Sequence, residues 1–189
     1  MNVILTGMRG TGKSSIGALL ADRLAYTFVD TDAAIEAQAG HPIAEIVTQH
    51  GWAHFRALER QVVAQLADAD HQVIAAGGGT LIDPDNAQHL KSRGVVILLE
   101  CDIPRLQRRI EQSNNRPSLT GQGSPVDELM HIWHTRKQHY YAAADLFFDV
   151  SNESDDITKD LCDKVASLYQ LLTQQNFFEP RYNNQVDKE

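Results

Sequence analysis

Gly7-Met8-Arg9-Gly10-Thr11-Gly12-Lys13-Ser14 carries the most specific chemistry in the chain. It fits a glycine, four free positions, then Gly-Lys and Ser or Thr. In that pattern backbone N–H groups turn inward around phosphate oxygens. The apolar run Val3-Ile4-Leu5 precedes it and a helical pattern follows, so a helix N-terminus adds partial positive charge at the same place. Lys13 can reach the β- and γ-phosphates of a nucleotide, and the Ser14 hydroxyl can ligate Mg²⁺. Gly7, Gly10, Thr11, Gly12, Lys13, Ser14 and Ser15 are the expected nucleotide-binding residues, with Lys13 also catalytic. A dinucleotide site would want a third glycine where Lys13-Ser14-Ser15 stand. A GTPase would want an Asn-Lys-x-Asp guanine reader, and the chain has none.

Two further constellations could meet a small substrate. Asp30-Thr31-Asp32 closes the second predicted strand, and strand C-terminal ends line the ligand crevice of α/β sheets. On extended backbone the two acids, two residues apart, aim the same way. One can then join a Mg²⁺ shell while the other faces a substrate hydroxyl. Gly77-Gly78-Gly79 follows the third strand, where glycines allow backbone to approach a ligand closely. The plainer readings are Asp32 as a helix N-cap and the glycines as a tight turn. His131, His134 and His139 lack the intervening Glu and nearby Cys of a metal motif and read as helix surface. Trp133, Tyr140 and Tyr141 read as packing residues, and Asp155-Asp156 as the cap of the last helix.

These residues must be held by alternating elements. Strands are predicted at Val3–Leu5, Thr27–Asp30, Val73–Ala76, Val95–Leu99 and Leu146–Val150. Helices are predicted at Ser14–Leu24 (with Ile16, Leu19, Leu20 and Leu24 at helical spacing), Asp32–Ala39, Ile43–His50, Trp52–Ala69, Asp85–Arg93, Ile103–Gln112, Val126–Ala144 and Asp155–Gln175. The alternation implies a parallel sheet covered on both faces. Ser113–Pro125 is rich in Asn, Gly, Pro and Ser and reads as a mobile loop. Residues 1–173 form one predicted domain, and 174–189 a polar tail. The chain has 189 residues and a net charge of −8, which disfavours nucleic-acid and anionic-membrane partners. Cys101 and Cys162 stand far apart, as expected of reduced thiols in the cytoplasm. No run approaches the ~18 apolar residues of a membrane span, and no signal peptide is expected.

The ordered set Gly7 to Ser14, Phe28-x-Asp30-x-Asp32, Phe55-Arg56-x-x-Glu59, Gly77-Gly78-Gly79, Arg116-Pro117-x-Leu119 and Arg136 resembles the shikimate kinases over roughly residues 1 to 170. The resemblance implies a nucleoside-monophosphate-kinase-like α/β/α sandwich with five parallel strands. It implies ATP and shikimate as substrates, Mg²⁺, and a monomer. Arg56 and Arg136 would grip the shikimate carboxylate beside Gly77, Gly78 and Gly79, with Glu59 orienting Arg56. Asp32 would bind ring hydroxyls and act as general base, and Asp30 and Ser14 would hold the metal. Arg109 would stack near adenine. Arg116 would act catalytically from a lid, 113–125, that closes over the phosphates.

The chain also departs from that pattern. The family usually shows Arg-x-Pro-Leu-Tyr where this chain has Arg136-Lys137-Gln138-His139-Tyr140. It has Gly51-Trp52 in place of Gly-Glu, and Val47 where an aromatic often stands. The expected reaction is in-line transfer of the ATP γ-phosphoryl group to shikimate, driven by positioning and electrostatics. The alternatives are a related kinase of gluconate or nucleotides, and a non-catalytic ATP-binding module.

Overall fold

A computed structural model describes residues 1–112, 125–152, 154 and 156–177. Five parallel strands form one sheet: β1 (Asn2–Thr6), β2 (Thr27–Asp30), β3 (Gln72–Ala75), β4 (Gly94–Glu100) and β5 (Leu146–Asp149), in the spatial order β2-β3-β1-β4-β5. Between and after them run α1 (Lys13–Leu24), α2 (Thr31–Ala39), α3 (Ile43–Asp68), α4 (Pro84–Lys91), α5 (Ile103–Gln112), α6 (Pro125–Ala143) and α7 (Ile157–Gln174). A short 3₁₀ turn, Thr80–Ile82, follows β3.

The central strands are apolar without alternation because both faces are covered. Val3, Leu5, Ile97 and Leu99 pack against Ile16 and Leu20 of α1 and Leu168 and Leu172 of α7. Ile4, Ile74 and Val96 turn the other way, onto Val63 of α3 and Leu90 of α4. The result is the expected three-layer α/β/α sandwich. Of the four apolar residues at helical spacing in α1, Leu19 is 37% exposed, while Ile16, Leu20 and Leu24 are buried. The buried face of α1 is Ile16, Gly17, Leu20, Ala21 and Leu24, and Leu19 falls outside that stripe.

Two local departures bear on the site. The predicted pair Ile43–His50 and Trp52–Ala69 is one helical run kinked at Gly51, whose φ of 80° leaves the helical region. Asp30, not Asp32, caps α2: its Oδ1 accepts from the N–H groups of Asp32 at 3.0 Å and Ala33 at 3.4 Å. Asp32 therefore belongs to the first turn of a helix, and the two acids are not an extended pair. Asp156 caps α7 through the N–H groups of Thr158 and Lys159. Arg116 and the expected lid, apart from Pro125 at the start of α6, lie outside the described residues, as do Asp155 and the tail beyond Phe177.

Ile97 is fully buried at the middle of β4, between β1 and β5. Ile97→Ala is expected to lower unfolding free energy by about 2–5 kcal/mol in urea titration, with the slope against urea unchanged.

Candidate active site

The strands all run the same way, so their C-terminal ends open on one cleft of roughly 980 Å³. Its nucleotide end is the turn from β1 into α1. Gly10 and Gly12 each hold φ near 88°, the left-handed region that glycine enters without strain. Lys13 Nζ donates to the carbonyls of Gly7 at 3.0 Å and Met8 at 3.1 Å, and the Thr11 hydroxyl closes the loop onto Met8 O at 2.9 Å. The lysine charge is thus held over the loop that would cradle phosphates. Ser15 stands exposed in the first turn of α1 and also lines the cleft. Arg109 of α5 donates to Gly10 O at 3.2 Å and Val150 O at 3.3 Å, tying the loop to the end of β5.

The Ser14 hydroxyl donates to Asp30 Oδ2 at 2.7 Å. A hydroxyl and a carboxylate this close, at the mouth of the phosphate loop, are the hard oxygen donors that Mg²⁺ takes. Both oxygens of Asp30 are used, one on the α2 backbone and one on Ser14. The cap therefore also aims the second oxygen.

The other end of the cleft is built on the three-glycine turn. A Cβ on Gly77 would collide with the Asp32 carboxylate, and one on Gly79 would lie 2.8 Å from an Arg56 Nη. The Gly77 N–H is held by Thr31 Oγ1 at 2.7 Å. Arg56 is braced in turn: its Nη1 lies 2.5 Å from Glu59 Oε2, and Glu59 Oε1 accepts from Thr80 Oγ1 at 2.9 Å. Glu59 and Thr80 are both buried, and the Asn86 amide fixes Thr80 O at 3.1 Å. Arg136 of α6 reaches the same turn and donates to Gly78 O at 3.0 Å. Residues 32, 56, 77–79 and 136, distant in sequence, thus meet in one place.

Asp32 is electrostatically stressed. Desolvation by the cleft walls, then the Asp30 charge, with Glu59 and Glu36 adding less and Lys13 opposing, push its pKa up to about 6. The residue as a whole is exposed to solvent, so the energetic consequence is smaller than the shift alone would imply. A carboxylate with that pKa can take up a proton near neutrality.

Tyr140 was expected only to pack. It is 1% exposed and stacked on Trp133, but its hydroxyl also donates to Gly78 O at 2.6 Å. The signal was in the spacing: the family pattern places a tyrosine four residues after its arginine, and Tyr140 stands four after Arg136. Thr80 had no comparable signal. Tyr141 is 44% exposed, and His131, His134 and His139 are exposed along α6. Val47 packs beside Ile35 and Phe55. The exposed Trp52 lines the cleft, with the Arg56 guanidinium 5.8 Å from its ring centre.

A family model described as shikimate kinase matches residues 9–166. The chain belongs to the shikimate kinase family. It is therefore a kinase, a phosphotransferase with a phosphate loop. A shikimate kinase of Thermosynechococcus vestitus is 42% identical over 164 residues, 87% of each chain. Among solved structures, a shikimate kinase of Acinetobacter baumannii in complex with shikimate superposes with a TM-score of 0.83 at 28% identity, covering 94% of this chain and 95% of that one. One from Bacteroides thetaiotaomicron gives 0.83 and 28%, covering 92% and 98%. Membership confirms the expected fold class and removes the non-catalytic reading. Among the described residues no helix is long and apolar enough to cross a membrane.

The raised pKa of Asp32 means the native state holds that proton more tightly than the unfolded chain does. Its contribution to stability is present below about pH 4 and is lost as pH rises through about 6. Asp32→Asn, which cannot ionise, should melt higher than the parent above pH 6. That advantage should vanish below about pH 4 in thermal scans across pH.

Proposed function

We propose that this enzyme transfers the γ-phosphoryl group of ATP to a ring hydroxyl of shikimate, with its acceptor site on the Gly77–Gly79 turn. The observation that carries the acceptor assignment is the convergence of Arg56, Arg136 and Asp32 on that turn. Two guanidinium groups suit a carboxylate, which they can hold through planar, paired hydrogen bonds. A carboxylate beside them suits a hydroxyl. Shikimate carries both groups on one small ring, whereas a nucleotide acceptor has no carboxylate for the two guanidinium groups. Gluconate carries both groups on an open chain, and the family match favours shikimate over it.

The residues divide the work. Gly7, Gly10, Thr11, Gly12, Lys13, Ser14 and Ser15 hold the triphosphate, and Lys13 balances charge that develops on the transferred group. Arg109, fixed between Gly10 O and Val150 O, would stack near adenine, as the family pattern implies. The sequence pattern adds Arg116 as a further positive charge over the phosphates. Ser14 and Asp30 would hold Mg²⁺, which when bound neutralises phosphate charge. Asp32 accepts the proton of the attacking hydroxyl, and its raised pKa makes it a better base than an ordinary aspartate. Glu59 and Thr80 keep Arg56 aimed at the acceptor. Among the described residues neither Cys101 nor Cys162 is in a disulfide, which fits the reducing cytoplasm.

The purified enzyme should release ADP from MgATP only when shikimate is present, and Lys13→Met should abolish this while leaving the protein folded. The log of kcat/KM should rise with pH through about 6 and then level. Arg56→Lys should raise KM for shikimate about 10-fold with little change for ATP. Full ADP release with gluconate and none with shikimate would defeat the assignment.

A further inference from the structure

The Gly78 carbonyl accepts two hydrogen bonds, from the Tyr140 hydroxyl at 2.6 Å and from Arg136 Nη1 at 3.0 Å. Both donors come from α6, four residues apart on one helix face. A carbonyl oxygen has two lone pairs, so the bonds coexist. The two donors differ in how firmly they are held. The Tyr140 ring lies among Met8, Leu98, Leu106 and Ile132 and is stacked on Trp133. Arg136 lies at the wall of the cleft and is only partly buried. Burial pushes the Tyr140 hydroxyl above its ordinary range, against a smaller opposing pull from Arg136. It remains a proton donor at neutral pH.

We propose that Tyr140 is a positioning residue for the acceptor: its hydroxyl keeps the Gly78 carbonyl satisfied while the Arg136 guanidinium turns from that carbonyl to the acceptor's carboxylate. This rests on the reading of Arg136 as a carboxylate ligand given above. A carbonyl in a partly buried turn is costly to leave without a donor. With Tyr140 in place, Arg136 exchanges a neutral acceptor for a charged one and leaves nothing orphaned. Without the hydroxyl, the same movement strips Gly78 O. Arg136 is then held back, and the middle of the turn loses its anchor between Asp32 and Arg56. Gln138 and His139, which depart from the family pattern, are exposed and take no part in this bond.

Tyr140→Phe removes the hydroxyl and keeps the packed ring. It should raise KM for shikimate about 3- to 10-fold, with KM for ATP and melting temperature near the parent values. In an Arg136→Lys background the further effect of Tyr140→Phe should fall below about 2-fold, because both act through one exchange. A parental KM for shikimate in Tyr140→Phe, beside a raised one in Arg136→Lys, would overturn the role of Tyr140 and leave the reading of Arg136 intact. Parental values in both would overturn both. Full additivity, or equal rises for ATP and shikimate, would mark Tyr140 as merely structural and overturn the proposal.

Discussion

At the turn Gly77-Gly78-Gly79 a Cβ on the first glycine would strike the Asp32 carboxylate and one on the third would press on the Arg56 guanidinium, and the proposed acceptor end of the cleft depends on that close approach. Asp32 lies against the first glycine, Arg136 and Tyr140 bind the carbonyl of the second, and Arg56 lies against the third. These groups come from three separate helices, α2, α3 and α6. The turn is itself fixed by Thr31 at one end and, through Thr80 and Asn86, by the buried 3₁₀ turn at the other. Backbone at the end of β3 thus serves as the reference surface for charges supplied by distant parts of the chain.

The nucleotide end follows a different logic. There backbone N–H groups would hold the phosphates, and side chains mainly keep the loop in shape. Lys13 and Thr11 fold back on loop carbonyls, and Arg109 clamps the loop to β5. The two ends meet at β2 and α2. Asp30 uses one oxygen to start α2 and the other to reach Ser14. Starting the helix there puts Asp32 in its first turn, above the glycines. The same closeness places the Asp30 charge next to Asp32 and, after burial, is the largest reason its pKa is raised. One cap therefore fixes where the acceptor-side acid sits and contributes to its basicity.

Much of this was legible in the sequence. The phosphate loop announces itself because its conformation demands glycines at fixed offsets, and buried parallel strands show as unbroken apolar runs such as Val95 to Leu99. The convergence of Arg56 and Arg136 came only through the family pattern, since nothing local in either helix says where its far side points. Asp30 and Asp32 were assigned the right neighbourhood and the wrong geometry, because either acid can cap a helix and only the strand end decides which does. Tyr140 was read as packing because a buried aromatic and a buried hydrogen-bond donor look alike in sequence. Thr80 was invisible: its partner Glu59 is 21 residues away.

The dependence of the acceptor site on a bare turn is tested most directly by calorimetric binding of shikimate and of ADP to Gly79→Ala. A Cβ there meets only the tip of the Arg56 side chain, so the fold should survive while the guanidinium is displaced. The expected result is ADP affinity near that of the parent and shikimate affinity at least about 10-fold weaker. Parental affinity for both ligands would contradict it, because the turn would then be a simple connection and the charges around it would be placed by something else.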